Sequence, residues 1–203
     1  MVSRVPPKDL AAHPDPPSDF QSRILPVVRS MRPFFRLNSI RHPSALYFDR
    51  SGEGRFYGAA QGYGILYVGE DEFVPFIESF GRVHSRQIVE EKILKQRYLA
   101  QFDSDRPLQL VDLTGSGLVK IRSDARLTSG SYEMAPRWAK AIFNHPQGVD
   151  GIKYLSRLDN TRACFGLFDR VSSHLQETNL GTLLDQHQTL LAKILNHYGY
   201  GLI

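Results

Sequence analysis

Two arginines, a tyrosine and a glutamate between residues 36 and 78 are the residue types that bind and process an anionic ligand carrying a ring. Arg36 interrupts the aromatic run PFFRLN, and Arg55 follows a glycine in a glycine-dense loop. Arginine recognises phosphates through its paired N–H donors. Tyr67 offers an aromatic face, and Glu78 offers a carboxylate that can stabilise positive charge. The combination favours a phosphate-bearing small ligand.

Each of these four residues also has an ordinary structural interpretation. Arg36 and Arg55 could take part in surface ion pairs, because burying an unpaired charge is costly. Tyr67, within the apolar run ILYVG, could belong to the core, and Glu78 could lie on the solvated face of a helix. Composition alone favours the ordinary interpretation in every case, so the elements that position the four residues decide between the two.

The glycines Gly58, Gly62 and Gly64 do not form a Rossmann fingerprint, since they precede the strand-like run ILYVG instead of following a strand and opening a helix. The seven histidines are dispersed, and Cys164 is the single cysteine. We therefore expect no metal site and no internal disulfide. Cys164 lies in a predicted strand and is interpreted as a small buried apolar residue.

The composition is that of an ordinary globular domain. The chain has 203 residues, 41% of them hydrophobic and 23% charged, with a net charge of +4. Arginines greatly outnumber lysines and are scattered, which disfavours a nucleic-acid partner. No apolar run approaches the roughly 18 residues that span a bilayer, so we expect no membrane association. The N-terminus lacks the apolar region of a secretory signal, and a cytoplasmic location is expected.

The predicted elements begin after an N-terminal arm. Residues 1–30 are expected to be partly disordered or docked, with the domain proper at 31–203; ILPVVRSM within the arm is expected to form a helical turn broken by Pro26. Short runs rich in aromatic and β-branched residues predict strands. These runs are PFFRLN, SALYFD, ILYVG, PLQLVDL, GIKYLS and CFGLFD.

Helical spacing of apolar residues predicts four helices. The first begins near Asp71 and carries Glu78, with Pro75 confined to its first turn. The others cover residues 85–102, with Ser85 as the N-cap, residues 132–146, and residues 182–199, with Gly199 at the C-cap. Strands and helices do not alternate strictly, so we predict an α+β fold and not a doubly wound parallel sheet.

The order of short motifs resembles the RES domain family, whose members are toxins of bacterial toxin–antitoxin pairs. The motifs are FFRL, GEGRF, ILYVG, FIESF, GIKYLSR and ACFGLF, and they run from Arg36 to Phe168. The most specific features are the spacing of eleven residues from Tyr67 to Glu78 and the segment D-G-I-x-Y-x-S-R at 150–157. Tyr57 stands where the family often has asparagine after G-R-F, and the N-terminal arm is longer than in compact members.

The resemblance implies an ADP-ribosyltransferase-like split β-sheet core with surrounding helices, holding NAD⁺ in a cleft. NAD⁺ would be the substrate and no cofactor is expected. The reaction would break the nicotinamide–ribose bond, with water or inorganic phosphate as acceptor. The residues carried over are the catalytic Arg36, Glu78 and Ser156 and the NAD⁺-binding Arg55, Tyr57 and Tyr67.

Each carried-over residue has an expected role. Glu78 stabilises the oxocarbenium-like state, Arg36 and Arg55 hold the diphosphate, Tyr67 packs on nicotinamide, and Ser156 positions the ribose or the amide. The expected partner is an antitoxin that covers the NAD⁺ cleft. Apolar residues of the N-terminal segment and the last helix would also permit a homodimer. Alternative functions are mono-ADP-ribosylation of a protein, a non-catalytic binding module, and a basic nucleic-acid binder.

Overall fold

The computed structural model describes residues 14–57, 62–82, 87–130 and 132–203. Its strands and helices, in chain order, are β1 (Val27–Ser30), β2 (Phe34–Ser39), β3 (Ile65–Gly69), α1 (Phe73–Phe80), β4 (Ile88–Val89), α2 (Glu91–Leu94), β5 (Arg97–Ser104), β6 (Leu108–Asp112), α3 (Ser116–Lys120), α4 (Arg126–Ser129), α5 (Ala135–Phe143), β7 (Gly151–Leu155), β8 (Ala163–Phe168), β9 (Leu175–Asn179), α6 (Gln188–Tyr198) and β10 (Gly201–Leu202). Short 3₁₀ helices cover Phe20–Ser22 and Asp169–His174.

Within the described residues, eight strands form one sheet in the order β1-β6-β7-β8-β3-β2-β5-β9. All neighbouring pairs of this sheet are antiparallel except β6 with β7. The strands β4 and β10 form a separate parallel pair. Helices are inserted between strands without regular alternation, so the predicted α+β class is confirmed.

The sheet is nearly divided between β2 and β3. Among the described residues, these two strands pair only at Phe35 with Gly69, whereas β3 pairs with β8 along its whole length. On the other side, β2 pairs with β5 from Phe34 to Ser39. The sheet therefore consists of a five-stranded and a three-stranded part, and the two strand edges separate beyond the Phe35–Gly69 pair. This seam is the feature that makes room for the site.

The core lies on both faces of the sheet. The central strand β8 is buried at every position, and Trp138 of α5 is fully buried against one face. On the three-stranded part, Phe76 of α1 packs with Leu191 and Ile194 of α6. This burial is the main stabilising contribution. Of the helices in the described ranges, none is long and apolar enough to cross a membrane.

The N-terminal segment packs on the domain from residue 14 onwards. The indole N–H of Trp138 donates to the Pro14 carbonyl (2.9 Å), and Phe20 is buried edge-on against the Trp138 ring at 5.5 Å. Strand β1 then forms the sheet edge beside β6. The predicted helical turn at 24–31 is wrong, because the residues after Pro26 satisfy their backbone groups by pairing with β6. Residues 1–13 of the predicted arm lie outside the described residues.

The predicted helix at 85–102 is wrong. Its described part contains β4, the single turn α2, and the first six of the eight residues of β5. The run IVEEKILKQ is rich in helix-forming residues, but Tyr98–Phe102 pair with β2, and this tertiary pairing overrides local propensity. The predicted N-cap Ser85 lies outside the described residues.

The run SALYFD does not form the predicted strand beyond a single bridge of Asp49 with Ile65. Instead, the backbone N–H groups of Ala45 and Leu46 donate to the Glu177 carboxylate at 2.9 and 3.0 Å. Side chains therefore satisfy backbone groups that a neighbouring strand would otherwise pair.

Candidate active site

A cleft of about 290 Å³ lies in the seam between β2 and β3. Its walls are formed by β2, β3, α1 and β7, by the loop before β3, and by the segment between α4 and α5. Four of the residues predicted from sequence line it: Arg36, Arg55, Tyr67 and Glu78. These residues come from four separate elements. They line one cleft because β2 and β3 separate beyond the Phe35–Gly69 pair.

Local sequence sets the position of α1 at the cleft. A side chain at Gly69 would place its Cβ 2.4 Å from Val74, so glycine at this position allows the helix to begin directly at the end of β3. The Asp71 carboxylate accepts hydrogen bonds from the backbone N–H groups of Phe73 (3.0 Å) and Val74 (3.2 Å), which caps the helix. This start confirms the helix predicted near Asp71, and it places Glu78 on the cleft wall.

The carboxylate of Glu78 is held by Ser156. The Ser156 hydroxyl donates to Glu78 Oε1 at 2.6 Å and accepts from the backbone N–H groups of Leu158 (3.0 Å) and Asp159 (3.2 Å). Two N–H donors occupy the lone pairs of this hydroxyl, so its proton is directed to the carboxylate. Ser156 is 2% exposed and lies behind Glu78, outside the residues that line the cleft. It therefore orients the carboxylate from the protein side.

The surroundings of Glu78 are weakly polar. Cys164 Sγ lies 3.9 Å from Glu78 Oε1, and Tyr154 stands opposite Cys164 in the β7–β8 ladder. Burial raises the pKa of the Cys164 thiol and that of the Tyr154 hydroxyl, so both stay neutral. The prediction that Cys164 is buried is confirmed. Of the described residues that line the cleft, Glu78 is the single acidic one.

The loop that carries Arg55 is anchored on Tyr67. The backbone N–H of Phe56 donates to the Tyr67 hydroxyl at 2.8 Å, and a Cβ on Gly54 would lie 2.6 Å from the Tyr67 ring. Glycine at position 54 therefore lets the backbone lie against the ring. Burial raises the pKa of Tyr67, so its hydroxyl remains neutral. Tyr67 thus lines the cleft and also fixes the residues on both sides of Arg55.

Arg55 itself is a buried cation whose hydrogen-bonding capacity is incompletely used. It is 6% exposed; its Nη1 donates to the Gly130 carbonyl at 2.9 Å, and the Tyr132 ring lies 4.6 Å from its guanidinium carbon. Its Nη2 is buried and has no hydrogen-bond partner among the residues that the structure describes. Burial lowers the pKa of Arg55, so desolvation opposes its charge. An acceptor atom of a ligand would complete this guanidinium.

Arg36 shows a similar deficit. Its Nη1 contacts two backbone carbonyl oxygens at long distances, Ala45 at 3.4 Å and Tyr47 at 3.3 Å. Burial lowers the pKa of Arg36, and the negative groups around it offset this only in part. The cleft therefore contains two partly desolvated arginines whose hydrogen bonds within the described residues go to backbone carbonyl oxygens.

Two further arginines line the cleft and were missed in the sequence. Arg82 follows Glu78 by four residues, and Arg157 follows Ser156 directly. Helical spacing could have indicated Arg82, and the D-G-I-x-Y-x-S-R segment already contains Arg157. With Arg36 and Arg55 they set four cationic side chains against one carboxylate, which favours an anionic ligand.

Aromatic residues were also missed. Tyr132 and Tyr154 line the cleft. Tyr154 belongs to the D-G-I-x-Y-x-S-R segment, two residues before Ser156, whereas Tyr132 lies outside all the quoted motifs. No local signal distinguishes Tyr132 from a core tyrosine. The predicted Tyr57, in contrast, is not among the lining residues; its carbonyl accepts from the Tyr63 hydroxyl at 3.3 Å. Its predicted role in NAD⁺ binding stays a prediction.

Comparison with known proteins gives consistent results. The RES domain model matches residues 32–190. A probable toxin of Sinorhizobium fredii, y4kH, is 33% identical over 112 residues, which are 54% of this chain and 86% of that protein. The crystal structure of the Mycobacterium tuberculosis MbcT–MbcA toxin–antitoxin complex contains a chain with a similar fold: the TM-score is 0.61 at 15% identity, covering 82% of this chain and 92% of that one.

Proposed function

The chain belongs to the RES domain family, and we propose that it is the toxin of a toxin–antitoxin system that consumes NAD⁺ by cleaving the nicotinamide–ribose bond. The observation that carries the proposal is the combination of a carboxylate fixed at 2.6 Å by Ser156 with the buried Arg55, which has an unfilled donor position among the described residues, in the same cleft. The similar proteins named above, a probable toxin and a toxin–antitoxin complex, support the biological role.

The chemistry requires stabilisation of positive charge at one place. When the C1′–N bond breaks, its electron pair moves to the ring nitrogen and nicotinamide leaves as a neutral molecule. The ribose then carries oxocarbenium-like charge, as in glycoside hydrolysis. Glu78 would stabilise this charge, because its orientation is set before the reaction by the Ser156 hydroxyl. A neutral leaving group needs no general acid, which agrees with the neutral side chains of Tyr154 and Cys164 beside Glu78.

The arginines would bind the diphosphate. Arg55 Nη2 is the donor with an unfilled position, and Arg36 could exchange its long carbonyl contacts for phosphate oxygens. Charge-assisted bonds of this kind are shorter and stronger than the contacts they replace. We propose that Tyr67 packs on the nicotinamide while it anchors the Arg55 loop through its hydroxyl. The negative charge of the bound diphosphate would then offset the free-energy cost of desolvating the two guanidinium groups.

The acceptor completes the reaction. Water would give ADP-ribose and release a proton, whereas inorganic phosphate would give the 1-phosphate of ADP-ribose. In either case an oxygen of the acceptor bonds to C1′. Transfer to a protein side chain would instead make the enzyme a mono-ADP-ribosyltransferase. The three outcomes differ in product: free ADP-ribose, its 1-phosphate, or a labelled protein.

The test is incubation of the purified protein with NAD⁺, with and without phosphate, followed by product analysis. We expect loss of NAD⁺ and release of nicotinamide, and we expect Glu78→Gln to abolish turnover while the protein still folds. Glu72→Gln is the matched control, since Glu72 precedes α1 and does not line the cleft. Full turnover by Glu78→Gln, or intact NAD⁺ under every condition, would refute the proposal.

We also propose that a cognate antitoxin covers the cleft. A partner that places acidic or polar groups over Arg82, which is exposed at the cleft, would block the ligand and neutralise the arginine cluster. Co-expression with the protein encoded next to this chain should yield a complex without NAD⁺ turnover. A complex that retains full turnover would contradict coverage of the cleft.

A further inference from the structure

Tyr132 is an aromatic ring that has one side held by the protein and the other open. It lines the cleft, yet its side chain is 38% exposed. The Arg55 guanidinium lies over the ring at 4.6 Å from its centroid. Arg55 in turn is fixed by its bond to the Gly130 carbonyl, two residues before Tyr132. A ring supported in this way is a preformed stacking surface.

The side chains in the cleft follow one another in a definite order. Tyr154 connects the surroundings of Glu78 with those of Arg55. It stands opposite Cys164, whose Sγ lies 3.9 Å from Glu78 Oε1, and its ring lies 5.1 Å from that of Phe56, the residue after Arg55. Arg55 then contacts Tyr132. The spatial order of these side chains along the cleft is therefore Glu78, Tyr154, Arg55 and Tyr132. The carboxylate of Glu78 lies at one end of this series, and the exposed ring of Tyr132 lies at the other.

This order corresponds to the covalent order of a dinucleotide. Under the function proposed above, the nicotinamide ribose lies at Glu78 and the diphosphate at Arg55. The chain of the substrate then continues past Arg55 to the second ribose and its base. Tyr132 is the side chain at that position with an open aromatic face.

We propose that Tyr132 forms an adenine-binding subsite, in which the base of the substrate stacks on the ring face opposite Arg55. The inference rests on the proposed function, because it takes its direction from the cleavage end at Glu78. A base stacked on an aromatic side chain loses about 5- to 150-fold in affinity when that side chain becomes alanine. The subsite therefore contributes ground-state binding of the half of the substrate that does not react.

A truncated substrate tests this inference. Nicotinamide mononucleotide has the scissile bond and one phosphate but no adenosine. Tyr132→Ala should raise the KM for NAD⁺ by about 5- to 150-fold with kcat changed by less than about twofold, since stacking contributes equally to ground and transition states. The KM for nicotinamide mononucleotide should rise less than about threefold, the effect of loosening Arg55. Tyr132→Phe, which keeps the ring, should restore the NAD⁺ affinity.

A binding measurement separates failure of this inference from failure of the proposed function. AMP and ribose 5-phosphate, which share the phosphate and differ by the adenine, are titrated calorimetrically into the Glu78→Gln protein. AMP should bind more tightly, and addition of Tyr132→Ala should remove the difference; thermal melting verifies that each variant is folded. Equal losses of NAD⁺ and nicotinamide mononucleotide affinity on Tyr132→Ala would overturn the subsite and leave Tyr132 as a support for Arg55. Equal binding of AMP and ribose 5-phosphate by the parent would overturn it as well.

Discussion

Arg106 binds a buried carboxylate, whereas the buried Arg55 contacts no carboxylate among the described residues. Arg106 Nη1 and Nη2 each donate to Asp150 at 2.7 Å, and Asp150 also accepts from the backbone N–H of Gln109 at 2.7 Å. Arg55 donates from one nitrogen to a carbonyl and packs against a ring, and its second nitrogen has no partner in the described part of the chain. The charge of Arg106 is paired within the protein, whereas Arg55 keeps a donor that an anionic ligand could bind.

The two sites differ correspondingly in their protonation equilibria. The hydrogen bonds to Asp150 raise the pKa of Arg106, whereas burial lowers that of Arg55. Burial by itself would raise the pKa of Asp150, but the bonds from Arg106 and Gln109 lower it below its ordinary value. A charge whose partners lie within the protein stabilises the fold, whereas a buried charge with an unfilled donor position indicates a ligand-binding site.

Arg55→Met should impair NAD⁺ turnover and leave the stability of the fold nearly unchanged. We expect kcat/KM for NAD⁺ to fall about 100-fold or more, because charge-assisted bonds to the diphosphate are worth about 1.5–3 kcal/mol each. The free energy of unfolding should stay within about 1 kcal/mol of the wild type, since the lost bond to Gly130 is offset by removal of a desolvated charge. Steady-state kinetics and urea unfolding measure the two effects. A large loss of stability without a change in kinetics would assign Arg55 to the fold.

Asp150→Asn should have the opposite effect, lowering the free energy of unfolding without affecting NAD⁺ turnover. Loss of a buried partner of a charge pair costs about 3–5 kcal/mol. Since the Arg106 side chain is 36% exposed, screening by solvent reduces the expected loss of unfolding free energy to about 2 kcal/mol. The KM for NAD⁺ should not change, because neither Asp150 nor Arg106 lines the cleft. Arg106→Met is the matched counterpart of Arg55→Met and should lower stability with unchanged kinetics.

The stability of Asp150→Asn relative to the wild type should depend on pH in a direction set by the pKa of Asp150. The pKa of Asp150 is lowered in the folded protein, so its contribution to stability is fully present above the ordinary value of 3.8 and is lost as the pH falls below it. The difference in stability between wild type and Asp150→Asn should therefore be constant near neutral pH and shrink below about pH 4. A difference that grew on acidification would contradict the assignment.

Asp19→Asn should have the smallest effect on stability. It removes an ion pair at the surface and so serves as the exposed counterpart of Asp150→Asn. Arg23 donates to Asp19 at 2.9 and 2.7 Å, but the Asp19 side chain is 54% exposed. Solvent screens such a pair, so we expect no measurable change in melting temperature at physiological salt. A loss comparable to that of Asp150→Asn would show that bonding geometry, and not burial, sets the stability of these pairs.

The sequence predicted the elements that local signals specify. The α+β class, strand β3 and helix α1 were predicted correctly, as was Gly199 as the C-cap of α6, where it adopts a left-handed conformation. The helix ending at Gly199 was expected to begin at residue 182 but begins at Gln188. The predictions for 24–31, 44–49 and 85–102 were wrong because strand partners or side chains distant in sequence decide the structure there.

For the site, the sequence supplied Arg36, Arg55, Tyr67 and Glu78, and the fold places all four on one cleft. Their chemical roles remain predictions that the experiments above test. Tyr132 could not have been found in the same way. Its significance depends on contact with Arg55, which lies 77 positions earlier in the chain.

The sequence by itself determined family membership and the local geometry that its short motifs encode. The glycine and aspartate before α1 and the glycine before Arg55 fulfil their roles within a few residues of themselves. Only the tertiary structure decided that β2 and β3 separate after one pair and that Ser156 fixes Glu78. It alone also placed Arg55 away from every carboxylate of the described ranges that could pair with it. The absence of a partner is a property of everything packed around a group, and that packing is set by strand pairing across the whole chain.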